Sequence, residues 1–180
     1  MKRKYYAIKL LSVIISIFSS IQYVNADVGI KITGTIIVPP CEINSANEDI
    51  QVSFGKIPLN EIDGHKHAVT KKVNLKCYYH QNTPYIKING NVLPGAEDNV
   101  LNTTGANESI LGIALYQGDN VDSSYPLRIG GDGYEIIRGL DGLRKESGQF
   151  TFTAVPYKLK IKELNGGAFS AIATMNISYQ

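Results

Sequence analysis

His65 and His67 are the pair in this chain whose type and spacing come nearest to chemistry. Two residues apart on an extended strand, both imidazoles would reach one side, as metal ligands do. Two ligands are too few for a structural zinc site, and the pair follows Asp63-Gly64, so a wet loop or a strand start accounts for it better. His80 follows Tyr78 and Tyr79 with no evident acid partner. Gly130-Gly131-Asp132-Gly133 lacks the Gly-Lys-Ser/Thr ending of a phosphate cradle and adds an acid that would repel phosphate, so it reads as a turn. There is no His-Glu-x-x-His, no Gly-x-Ser-x-Gly and no Walker loop. The sequence therefore points away from an enzyme, with no catalytic residue, metal or cofactor expected. The Asn-x-Ser/Thr triplets at Asn102, Asn107 and Asn176 would matter only in a eukaryotic secretory pathway.

Cys41 and Cys77 are the only cysteines, and what they do depends on where the chain goes. Lys2, Arg3, Lys4 and Lys9 precede or open an apolar run over 10–18, broken by Ser12 and Ser16, and a polar stretch ends in Val24-Asn25-Ala26. That is the layout of a secretory signal, cleaved after Ala26. The apolar run is about half of the roughly 20 residues that span a bilayer, which argues against a membrane anchor. The whole chain has 18 Lys+Arg against 16 Asp+Glu, whereas 27–180 alone has 14 against 16, too even for a nucleic-acid binder. In an oxidising compartment two cysteines make one disulfide the default, ahead of free thiols or a metal pair.

The elements that must position these residues are short. All 17 glycines and all 7 prolines fall after residue 26, leaving little room for ordinary helices. Alternating segments rich in Val, Ile, Thr, Tyr and Phe fit between them, at 50–54, 69–77, 85–88, 110–116, 126–129, 150–155 and 169–179. Turn clusters such as Asn89-Gly90-Asn91 and Gln117-Gly118-Asp119-Asn120 separate them. The charge-rich stretch 138–146 fits a surface connection better than a helical turn. This pattern is that of an antiparallel all-β sandwich in a single domain.

The two ends of the exported chain carry the most information. Val28, Ile30, Ile32, Gly34, Ile36 and Val38 share one face of an extended strand, five of them β-branched, before Pro39-Pro40 stops sheet pairing. The segment could be the first strand of the chain's own sandwich. The proline pair instead isolates it, and a loose strand with five large apolar side chains needs a groove somewhere. At the other end Gly167 precedes Phe169, Ala171, Ala173, Met175, Ile177 and Tyr179, an alternation running to the last residue but one, before Gln180. A final strand with nothing to cover it leaves an open edge. An open edge and a free strand on one molecule point to head-to-tail assembly by strand addition.

These features, with Pro39-Pro40-Cys41-Glu42-Ile43-Asn44, Leu75-Lys76-Cys77-Tyr78, the stretches 112–118 and 150–156, and the ending 167–179, resemble the pilins of the chaperone-usher pathway. Among these the chain looks most like the minor tip adaptor subunits of P-type pili. The resemblance implies an incomplete immunoglobulin-like sandwich of six strands, missing the seventh, in 41–180, with a donor-strand extension at 27–40. It implies that Gly167, Phe169, Ala171, Ala173, Met175, Ile177, Tyr179 and Gln180 edge an acceptor groove that a periplasmic chaperone fills first. At the outer-membrane usher a neighbouring subunit's extension would replace the chaperone's strand. Val28, Ile30, Ile32, Ile36 and Val38 would fill the groove of the subunit ahead, an adhesin, with Gly34 permitting close approach. The expected location is the fimbrium at the cell surface, with no membrane span left after signal removal. The alternative is a free-standing secreted sandwich that binds carbohydrate.

Overall fold

The computed structural model describes residues 28–180 apart from Asn47 and Ile161. The expected signal segment lies outside the described residues. The chain divides into a segment ending at Ile36 and a second unit, Ile37–Gln180. In the first unit the described residues form no strand or helix.

The second unit is built from β1 (Glu42–Ile43), β2 (Val69–Lys76), β3 (Pro84–Gly90), β4 (Val100–Asn102), β5 (Thr104–Gly105), β6 (Leu111–Gln117), β7 (Tyr134–Glu135), β8 (Leu140–Asp141), β9 (Ser147–Lys158), β10 (Phe169–Ser170) and β11 (Ala173–Tyr179). Every pairing between them is antiparallel. One sheet runs β1-β2-β9-β6-β4, with β8 also beside β9; a second runs β11-β3-β7, and β10 pairs with β5. Side chains alternate across a strand, and both sheets aim one set inward. Val73, Leu75, Phe150 and Phe152 of the first sheet meet Ile86, Ile88, Ile177 and Tyr179 of the second in one buried cluster. On the outer side of β6 and β9, Ala114 and Val155 are also buried, under Leu93 and Val100. The two-layer all-β architecture read from the sequence is thus present.

β9 has two partners on one edge, because β6 pairs with Phe152–Lys158 and β8 with Gln149–Phe150. Thr151 bridges the change, its N–H donating to Gly139 and its carbonyl accepting from Gly118 N–H. Gly118 and Gly139 both have φ above 80°, and a Cβ on Gly139 would meet Gly118 N at 2.7 Å. Only glycine fits both needs.

Cys41 and Cys77 form the expected disulfide. The pairing of Glu42 with Lys76 places the two cysteines opposite each other one step further along the ladder. Three expected strands differ. Residues 126–129 make only isolated bridges, from Pro126 to Tyr116 and from Ile129 to Ile88. The stretch 169–179 is two strands on different partners, since β3 ends at Gly90 opposite Ala173 and β10 crosses to β5. Residues 50–54 alternate half-buried and exposed, as a strand would, yet join no ladder.

Candidate functional site

The unpaired stretch at 50–54 and the outer edge of β11 belong to one site. Gln180 N–H donates to the Thr83 carbonyl, so the even-numbered residues of β11 turn their backbone groups towards β3. Ala173, Met175 and Ile177 turn theirs the other way. There, among the described residues, one backbone bond is made: Cys41 N–H donates to the Ile177 carbonyl at 2.7 Å. The N–H and carbonyl groups of Ala173 and Met175 on that side meet no strand.

Chain direction explains the gap. Cys41 sits at the Ile177 end of β11, and the Phe54 ring lies 6.2 Å from the Phe169 ring at the opposite end. The stretch 41–54 therefore runs antiparallel to 169–177, touching it at both ends with no ladder between them among the described residues. Ile50, Val52 and Phe54 on one rim, and Phe169, Ala171 and Met175 on the other, pack against the main core cluster while remaining only half-buried. Two rims carry unpaired backbone and half-covered apolar side chains, which is the chemistry of a slot one strand wide.

Of the groove residues expected from the sequence, Ile177 and Tyr179 are buried at the floor, and Phe169, Ala171 and Met175 are half-buried along the rim. Gly167, Ala173 and Gln180 are exposed. Burial pushes the Tyr179 phenol up, partly offset by a hydrogen bond from the Arg144 backbone. Gln180 opens onto a crease of about 460 Å³ beside Thr83, Pro84, Glu135, Leu143 and Arg144. The second rim is not legible in the sequence: Ile50, Val52 and Phe54 carry an ordinary strand pattern, and nothing local reveals that the partner is absent.

In the first unit Val28, Ile30, Ile32 and Ile36 are between 80% and 101% exposed, values seldom found for a series of large aliphatic side chains. Val38 and Ile37 are exposed as well. A Cβ on Gly34 would meet nothing within 4 Å.

The histidines have local duties. His67, at φ 60°, places Nε2 2.6 Å from Glu61 Oε2, and His80 Nδ1 is 3.0 Å from the Cys77 carbonyl. Asp63 accepts from His65 N–H and Lys66 N–H, both at 2.8 Å, which holds its carboxyl below the usual value. Among the described residues no cluster of three or more His, Cys, Asp or Glu could hold a metal. Gly130, Gly131 and Gly133 all have positive φ, as the turn reading requires. No described helix is long and apolar enough to cross a membrane.

Comparison with known proteins bears on the family and the fold. The family described as fimbrial protein matches residues 30–180. The fimbrial adapter PapF of Escherichia coli is 40% identical over 172 residues, 94% of this chain and 98% of that protein. The minor fimbrial protein PrsF of Escherichia coli is similar to the same extent. The solved structure of the P pilus adaptor subunit PapF superposes with a TM-score of 0.55 at 35% identity, covering 81% of this chain and 100% of that one. The sandwich is thus immunoglobulin-like, of the kind found in chaperone-usher pilins.

Proposed function

This chain belongs to the fimbrial protein family, and from that premise we propose that it works as a minor pilus subunit, a tip adaptor that gives one strand and receives another. The reading rests on one observation above all: the backbone edge of Ala173 and Met175 faces the equally unpaired stretch 50–54 across a half-covered core. A strand laid in that slot would satisfy both edges and bury Ile50, Val52, Phe54, Phe169, Ala171 and Met175 together. Resemblance to PapF, an adaptor, favours a place between an adhesin and the tip fibre.

In this scheme residues 1–26 export the chain, and a periplasmic chaperone supplies the first strand while its basic residues hold the Gln180 carboxylate. At the outer-membrane usher the extension of the following subunit takes the chaperone's place. Val28, Ile30, Ile32, Ile36 and Val38, from 27–40, enter the slot of the subunit ahead. Five such side chains contribute about 7 to 15 kcal/mol before ordering costs, enough for a contact that rarely opens. Pro39 and Pro40, lacking N–H groups, end the donated ladder before the domain begins.

The test compares residues 27–180 and 41–180, each with and without a donor peptide. Both are expected to aggregate or misfold alone and to fold when a strand is added or fused after Gln180. If 41–180 folds as a stable soluble monomer unaided, the proposal fails and the free-standing carbohydrate-binding reading gains.

A further inference from the structure

The chain contains two Asn-Gly bonds, Asn89-Gly90 and Asn165-Gly166, and the fold treats them in opposite ways. With no Cβ on the second residue, its backbone nitrogen can swing onto the carbonyl carbon of the asparagine side chain. Asn89 and Gly90 are exposed too, but there the motion is opposed by the ladder, in which Asn89 lies opposite Thr174 and Gly90 opposite Ala173. Asn165 and Gly166 are both exposed, and nothing lies within 4 Å of the Cβ position of Gly166.

The main chain at Asn165 is gripped from one side. Asn107, only 3% exposed, donates from Nδ2 to the Asn165 carbonyl at 2.7 Å and accepts from Asn165 N–H at its Oδ1 at 2.8 Å. The side-chain amide of Asn165 takes no part in this grip. Downstream, Phe169 and Ser170 are fixed opposite Gly105 and Thr104.

We propose that Asn165-Gly166 is a site of spontaneous deamidation and isomerisation. The Gly166 nitrogen attacks Asn165 Cγ; a C–N bond forms, the bond to the side-chain nitrogen breaks, and ammonia leaves with the proton given up by the Gly166 amide. Solvent water then opens the cyclic imide at either carbonyl, leaving aspartate or isoaspartate at position 165. Isoaspartate routes the backbone through the former side-chain methylene. The chain is then one atom longer between the Asn107 grip and β10, and the slot rim at Phe169 must shift.

That last consequence rests on the strand-acceptance reading above, whereas the chemistry does not. The exported full chain, kept folded by a donor peptide bound in the slot, is held in mildly alkaline buffer at body temperature and mapped by peptide mass spectrometry with fragmentation that distinguishes isoaspartate. Conversion at Asn165 is expected to be at least about tenfold faster than at Asn89, whose strand must open first. Gly166→Ala, which the open space accommodates, is expected to slow conversion at Asn165 by about tenfold or more, since the added Cβ restricts the attacking nitrogen. Equal rates at the two asparagines, or undiminished conversion at Asn165 in the Gly166→Ala chain, would overturn the proposal. Aged protein that is converted at Asn165 yet exchanges its donor peptide as fast as fresh protein would uphold the site and sink its link to strand acceptance.

Discussion

Gln117 shows how much one buried polar side chain can hold. It is 4% exposed; Oε1 accepts from Ile137 N–H at 2.9 Å and Arg138 N–H at 3.1 Å, while Nε2 donates to the Glu135 carbonyl. Gln117→Leu would leave these groups without partners and is expected to cost about 2 to 4 kcal/mol, read from denaturant midpoints of the strand-filled domain. Asp63 gives a pH signature of known sign. Its lowered pKa means that the ionised turn is fully stabilised above the ordinary 3.8 and loses that stabilisation as the pH falls through the lowered value. Loss of amide protection at His65 and Lys66 on acidification, taken relative to the intrinsic exchange rate at each pH, is the expected readout. Gly34 is the third case. Because nothing lies within 4 Å of its Cβ position, Gly34→Trp should leave this domain's own folding untouched while blocking its docking into a neighbour. An unchanged rate of assembly would remove Gly34 from the donor strand.

Among the elements, those with strong alternation and a partner nearby in space were legible beforehand: β2, β3, β6 and β9 lie where their Val, Ile and Phe periodicity put them. The two-residue strands β1, β5, β7 and β8 were not, since so short a stretch has no period to detect. Residues 50–54 have the period of a strand and join no ladder, because pairing is a property of two segments and a period in one says nothing of the other. The C-terminal alternation likewise hid its break at Ala171-Ile172, where the limiting factor is the length of β3 rather than anything in 169–179. Cysteine count together with the expected export anticipated the disulfide, and the ladder between β1 and β2 supplies the geometry. Replacing both cysteines by serine releases a closed loop of 36 residues and is expected to lower stability by about 4 kcal/mol, measurable by urea unfolding with a strand in the slot. The same change would loosen Cys41 from Ile177, so donor-peptide release should quicken as well.

For the molecule as a whole, the rim of Ala173 and Met175 and the stretch 50–54 set a single geometry. An added strand would lie lengthwise between two rims anchored at both ends, by Cys41 against Ile177 and by Phe54 against Phe169. Fusing the sequence 28–38 after Gln180 through a flexible linker should therefore convert an aggregating chain into a monomer with a cooperative thermal transition, followed by light scattering and circular dichroism. The lengthwise slot also decides how such a joint answers tension. A strand drawn along its own axis loads its hydrogen bonds side by side, so none can fail before the others share the strain, whereas a strand peeled sideways loses them singly. A tether built this way resists a steady drag far better than its resting affinity alone would suggest.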